Sequence, residues 1–289
     1  MIFNRLNRVA DRIFRSVAST PLALLPFSSR SIAIERLSER MIYTTKTDAG
    51  PISFFCPSPL LTMRAETLLK KEPDMIQWIK SFEADSVFWD VGANVGVFSL
   101  YASIRRPITV VAFEPSAANF HVLSRNILLN RLNDRVIAYC VALSGKTKLG
   151  VLNMLSAAMG SAQSQFGQPG EMSPYAPGGE PGLIHGMVGF TMDDFIEQFR
   201  PPFPNYLKID VDGLEWMILQ GGIKTLKDPR LRSIIVELTL TNEDEYHQSL
   251  ELLKACGLDF VSKGEVQGNQ HIQGSEQVIG ANHLFVRRA

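Results

Sequence analysis

The chain has 289 residues, 45% of them hydrophobic and 20% charged, with 29 Lys+Arg against 29 Asp+Glu. That fits one large globular domain or two small ones and excludes a disordered chain. Zero net charge argues against a general nucleic-acid binder, which needs surplus cations to displace counterions. Cys56, Cys140 and Cys256 are far apart and lack CxxC spacing, which excludes a disulfide scaffold and a zinc ribbon.

The neutral total hides an asymmetry. Residues 1–40 carry seven arginines against three acids, a surplus of +4 that the rest of the chain offsets. Residues 2–17 read as an amphipathic helix, with Ile2, Phe3, Leu6, Val9, Ile13 and Phe14 on one side and Arg5, Arg8, Arg12 and Arg15 on the other. Two fates suit it: lying on an anionic membrane surface, or docking on its own domain or a second subunit. The expected organisation is a basic extension over 1–45 and one domain over 46–289. No apolar run reaches the roughly 18 residues that span a bilayer, and no compact apolar leader is present. The expectation is cytoplasmic residence, at most peripheral to the inner face of a membrane.

From residue 86 strand and helix signals alternate. Strands are predicted at 87–91, 108–113, 136–141, 206–210, 233–237, 258–263 and 283–287. A helix is predicted over 95–105. A second follows the N-cap Ser116, a third stops at Gly221-Gly222, and a fourth runs from a capping box at Asn242 and Glu245 to Gly257. Such alternation implies a Rossmann-like α/β fold, with a mostly parallel sheet and helices on both faces. Residues 155–190 break the rhythm with eight glycines, four prolines and two charged side chains. They read as a lid or as a flexible insertion.

The strongest motif is Asp90-Val-Gly92-Ala-Asn94-Val-Gly96, closing the first of these strands. Glycines let the backbone turn tightly and approach a ligand, and a following helix aims free N–H groups at an anion. Glu114 ends the next strand, where a carboxylate can accept from both ribose hydroxyls. A dinucleotide fingerprint would need glycine where Asn94 stands. The pattern is therefore poor for NAD and better for S-adenosylmethionine, whose anionic end is one carboxylate. A second constellation, Lys208-Ile-Asp210-Val-Asp212-Gly213-Leu-Glu215, places three acids at the same sheet edge. Asp212 and Glu215 also suit helix capping, whereas Asp210 sits at the strand tip.

These segments, with 112–130, Val141–Gly145, Thr191–Ile196 and Val236–Leu238, resemble the FkbM-type methyltransferase family, a branch of class I S-adenosylmethionine-dependent enzymes. The resemblance covers roughly residues 64–263. It implies a seven-stranded sheet with an antiparallel last strand, and methyl transfer to a hydroxyl of a sugar, glycan or secondary metabolite. Residue by residue, it implies that Asp90, Gly92, Asn94 and Gly96 hold the methionine end of S-adenosyl-L-methionine. Glu114 holds the ribose, Ala142 and Leu143 flank the adenine, and Asp210 lies near the sulfonium. The family more often has Glu at the position of Asp212. Asp210 and Asp212 are candidate bases, with Glu237 as a third, and His185 is a further catalytic candidate at the end of the glycine-rich segment. No obligatory metal is expected. The competing readings are an NAD-binding oxidoreductase and a non-catalytic methyltransferase-like binding module.

Overall fold

The computed structural model describes residues 22, 24–168, 183–265, 267–268 and 279–288. The helix expected over 2–17 lies outside the described residues. The chain divides into two compact units, Met1–Ile42 and Tyr43–Ala289. The first contains α1 (Phe27–Glu39), which starts after Pro26 and exposes Phe27, Ile32, Ile34 and Leu37. Among the described residues no helix is long and apolar enough to cross a membrane.

A two-stranded sheet, β1 (Ile42–Thr47) and β2 (Gly50–Phe55), begins at the boundary. Next come α2 (Pro59–Thr67) and α3 (Pro73–Lys80), each opened by a proline whose missing N–H costs nothing in the first turn. The chain then runs through β3 (Val87–Val91), α4 (Val97–Arg105), β4 (Thr109–Phe113), α5 (Ala117–Leu129) and β5 (Val136–Tyr139). Four strands follow: β6 (Ala142–Leu143), β7 (Lys148–Met154), β8 (Ser164–Gly167) and β9 (Leu183–Phe190). After them come α6 (Met192–Phe199), β10 (Tyr206–Ile209), α7 (Glu215–Gln220), α8 (Ile223–Lys227), β11 (Ser233–Thr239) and α9 (Glu243–Ala255). The described chain closes with β12 (Leu258–Lys263), β13 (Gln267–Gly268) and β14 (Ile279–Arg287).

The main sheet has the order β12-β14-β11-β10-β3-β4-β5, with β13 added to β14. Neighbours from β11 to β5 pair in parallel, while β14 pairs antiparallel with β11 and β12. This is the seven-stranded, mostly parallel arrangement with one reversed last strand that the family resemblance implies. Because side chains alternate across a strand, Phe88, Val110, Ala112 and Tyr206 pack on one face with α3, α4 and α5. Trp89, Val111, Phe113 and Leu207 pack on the other with α6, α7 and α9. Side-chain caps fix helix starts: Ser116 accepts from Asn119 N, and Asn242 from Glu245 N.

The segment 155–190 departs from expectation. Its described ends are not loop: β8 and β9 both pair antiparallel with β7, and β6 joins β9 in parallel, making a second, four-stranded sheet. Glycine-rich composition predicts poor strands, but pairing to a ready edge and burial of Leu152, Met154 and Phe166 outweigh local propensity. The Phe166 ring lies against Gly150 and Gly189, where a side chain would collide with it.

Candidate active site

Pleat and register build the site. Strands β3 and β10 run side by side with Asp90 level with Lys208. Alternation puts both on the face covered by α4, so Ser99 of α4 donates its Oγ to Asp90 Oδ2 at 2.6 Å. Lys208 Nζ lies 3.2 Å from Asp90 Oδ1 and 3.3 Å from Asp210 Oδ2. It also donates to the Gly92 carbonyl at 3.2 Å. Asp90 and Lys208 are 0% and 1% exposed, a depth at which a charge must be paired. Burial alone would lower the Lys208 pKa, but the Asp90 and Asp210 carboxylates reverse that and hold it above its ordinary value.

The glycine turn connects this network to the next strand tip. Gly92 has φ +78°, and a Cβ there would come within 1.8 Å of the Asp210 carbonyl oxygen. Its first duty is thus to let two strand tips pass, a closer constraint than any ligand sets. Gly96 is the left-handed N-cap of α4. Asn94, with φ +52°, donates its backbone N–H to Glu114 Oε2 at 2.8 Å. Glu114 Oε1 accepts from Ser116 N at 2.9 Å and Asn119 Nδ2 at 3.3 Å. Burial pushes the Glu114 pKa up to about 7 against the pull of these donors.

The acids after β10 differ in charge state. Burial would raise Asp210, but the Lys208 ammonium and a hydrogen bond from Glu237 hold it below its ordinary value. Asp212 is raised by burial and by the Asp210 charge, and its Oδ2 accepts from Gln163 N at 2.6 Å. Glu237, in β11, is pushed well up by burial and then by Asp210, to which it donates its proton. Glu215 turns back to accept from Val211 N at 2.9 Å and Gly213 N at 3.0 Å, and burial raises it to about 7. It is the first residue of α7, buried, and it ties down the loop that precedes the helix; α7 has no side-chain cap.

Beside the glycine turn a small, partly open apolar cleft lies between the two sheets. Phe113 and Pro115 line it at the main sheet's edge, and Ala142, Leu143, Leu152 and Phe166 come from the four-stranded sheet. Ser164 Oγ, also in the lining, and the nearby Asn94 Oδ1 are buried without any hydrogen-bond partner. His185 lies on β9 opposite Leu152, a lining residue of the cleft, and among the described residues no hydrogen bond or ion pair joins it to the acids.

Asp90, Gly92, Asn94, Glu114, Asp210 and Asp212 therefore meet at one sheet edge, as the sequence spacing implies. A model of the Methyltransferase FkbM domain matches residues 90–260, the span that carries all of them. The chain belongs to the FkbM methyltransferase domain family. Hexuronic acid methyltransferase AglP of Haloferax volcanii is 30% identical over 175 residues, covering 59% of this chain and 63% of its own. The 31-O-demethyl-FK506 methyltransferase FkbM of Streptomyces tacrolimicus is 45% identical over 51 residues, covering 17% of this chain and 20% of its own. This FkbM-family chain thus spans less than two thirds of the length of these curated relatives. Among solved structures, a precorrin-6y C5,15-methyltransferase from Geobacter metallireducens GS-15 superposes with a TM-score of 0.43 at 12% identity. That match covers 78% of this chain and 93% of the other.

Several site residues escape a reading of the sequence. Lys208 carries a signal, being a charged residue inside an apolar strand two positions before Asp210. Asn119, Ser164 and Phe166 carry none, because only the fold brings them to the cleft.

Proposed function

We propose that this FkbM-family chain is an S-adenosylmethionine-dependent O-methyltransferase acting on a hydroxyl of a sugar, glycan or secondary metabolite. The observation that carries this reading is the cleft: an apolar slot at the carboxyl edge of the sheet, beside a strand-end glutamate, with two buried polar atoms lacking partners. Those residues fit the cofactor. An adenine has apolar faces and a polar rim, which suit Phe113, Leu143 and Phe166 around it and the Ser164 hydroxyl at its edge. Glu114 has lone pairs left for a ribose. Asn94 Oδ1 is free to accept from the methionine end, which Gly92 and Gly96 shape, while Asp90 acts at one remove by fixing Lys208 and Ser99. Relatives named for hexuronic acid and 31-O-demethyl-FK506 support an oxygen acceptor.

The cofactor supplies an electrophilic methyl on a sulfonium. The protein must align the acceptor oxygen and accept its proton. Asp210, kept ionised by Lys208, presents negative charge beside the place of a cation but is too weak a base. Glu237 already holds a proton. Asp212 is the remaining candidate, and burial and the Asp210 charge raise its proton affinity, the direction a general base needs. Its Oδ2 is bonded to Gln163, so Oδ1 takes the acceptor proton.

Calorimetric titration with S-adenosylmethionine and with NADH tests the cofactor, and binding of NADH alone overturns the reading. The Glu114→Gln variant should bind S-adenosylmethionine about 10- to 100-fold more weakly, the worth of a hydrogen bond to a charged group. Asp212→Asn should keep the affinity and lose about 10²- to 10⁴-fold in turnover, as expected for a general base.

A further inference from the structure

Residues 156–165 lie across the cofactor-carrying edge, and their backbone is tied down by side chains from four separate elements. Gly160 N donates to Asn119 Oδ1 at 2.8 Å, and Gly160 O accepts from Arg64 Nε at 2.6 Å. The Ser161 carbonyl accepts twice, from Asn94 Nδ2 at 2.9 Å and from Asn119 Nδ2 at 3.0 Å. Gln163 N is bonded to Asp212. At the next residue the segment becomes β8, which supplies Phe166 to the cleft wall.

Four features set this apart from an ordinary surface turn. Both polar groups of Gly160 are gripped from opposite sides, by α2 through Arg64 and by α5 through Asn119. Gly160 has φ +83°, and a Cβ there would meet Leu61 Cδ2 at 2.9 Å, so the grip is shaped for glycine. Asn119 Nδ2 reaches both the Ser161 carbonyl and Glu114 Oε1, which links the segment directly to the acid proposed to hold the ribose. Arg64 sits in the field of Asp210, Asp212, Glu114 and Glu72, yet among the described residues it forms no ion pair within 4 Å. Its hydrogen bond there goes to the Gly160 carbonyl. A half-buried guanidinium is costly to place. Here its geometry is spent on holding one peptide.

We propose that Arg64 and Asn119 are positioning residues that clamp the Gly160–Ser161 peptide over the cofactor cleft, so that residues 156–165 form a strap that must be released for cofactor exchange. This rests on the cofactor reading above. The clamp excludes water from the edge while closed, and opening breaks these hydrogen bonds and loosens the first residues of β8. Those bonds grip backbone atoms, and the conformation they hold requires glycine at 160.

The test combines backbone hydrogen exchange of 156–165 with the dissociation rate of S-adenosylhomocysteine, measured on the full chain. In the wild type, saturating S-adenosylhomocysteine should slow exchange in the strap. Arg64→Gln should speed strap exchange in the free protein and raise the dissociation rate about tenfold, the scale of a lost charge-assisted hydrogen bond. Arg64→Lys should restore part of both. Gly160→Ala gives an independent route should Arg64→Gln fail to fold, and it should loosen the strap in the same way. Wild-type exchange and dissociation in both variants would overturn the clamp while leaving the cofactor reading intact. If S-adenosylhomocysteine does not bind the wild type, the cofactor reading falls and the exchange role of the strap falls with it.

Discussion

The two sheets meet at one cleft and are built on opposite principles. On the main sheet every functional position is dictated by strand register. Asp90 and Lys208 are neighbours because β3 and β10 pair in parallel, and Glu114 stands beside them because β4 pairs with β3. Their side chains are buried, charged and mutually dependent. The second sheet contributes an apolar wall through Leu152 and Phe166, with few charges and much glycine. The lesson is a division of labour: the rigid sheet sets charge state and alignment, and the added sheet supplies shape and access.

The difference is broken most severely at Lys208. Lys208→Met leaves Asp90 and Asp210 facing each other at a buried site without their shared cation. Removing one partner of a buried pair costs about 3–5 kcal/mol, so the urea midpoint should fall steeply. Adding Asp90→Asn should recover part of that loss, since it removes a stranded charge. If the double variant is less stable than the single, mutual pairing does not govern this network.

Next in size is the pH response of the same edge. Glu114, Asp212, Glu215 and Glu237 all have folded pKa values raised by burial, Glu114 and Glu215 to about 7. A carboxyl raised in the folded state binds its proton more tightly there than in the unfolded chain. Its stability contribution is therefore complete below about pH 4.5 and is lost as pH rises through about 7. The buried His283, lowered by desolvation, acts oppositely, since unfolding below its ordinary pKa lets it take up a proton. Four groups outweigh one, so stability should decline between pH 5 and pH 8. Each tenfold difference in proton affinity between the folded and unfolded chain is worth about 1.4 kcal/mol. Urea denaturation across that range measures the decline, and Glu215→Gln should flatten the slope. A midpoint that climbs with pH in the wild type contradicts carboxyls that hold their protons more tightly when folded.

What can be read in the sequence follows the same divide. The edge acids are legible because glycine turns and strand-end carboxylates recur at fixed distances along one chain. Strand bounds at 87–91 and 258–263 agree with the structure to the residue, since apolar runs there stop at glycine or a charge. The last strand begins at Ile279, four residues before the expected 283, because Gly280, Ala281 and Asn282 carry little strand propensity of their own. The second sheet is invisible for that reason too: β8 and β9 are strands only because β7 offers an edge. Arg64 and Asn119 cannot be found by spacing, since they serve a peptide that folding brings to them.

The smallest effect belongs to the cleft wall and separates shape from charge. Phe166→Ala removes a ring that rests on Gly150 and Gly189 and lines the cleft beside Ala142 and Leu143. The ring touches none of the acids by hydrogen bond or ion pair, so the Asp90–Lys208–Asp210 network and its pH response should stay as in the wild type. What is lost is one aromatic face against a bound ring, worth about 0.5–1.5 kcal/mol. S-adenosylhomocysteine should therefore bind about 2- to 12-fold more weakly, with Phe166→Leu intermediate. Adenosine, which keeps the base and lacks the methionine end, should suffer the same proportional loss. Methionine alone should suffer none. A wall variant that weakened methionine and spared adenosine would place Phe166 at the wrong end of the cleft and reverse the roles assigned to the two sheets.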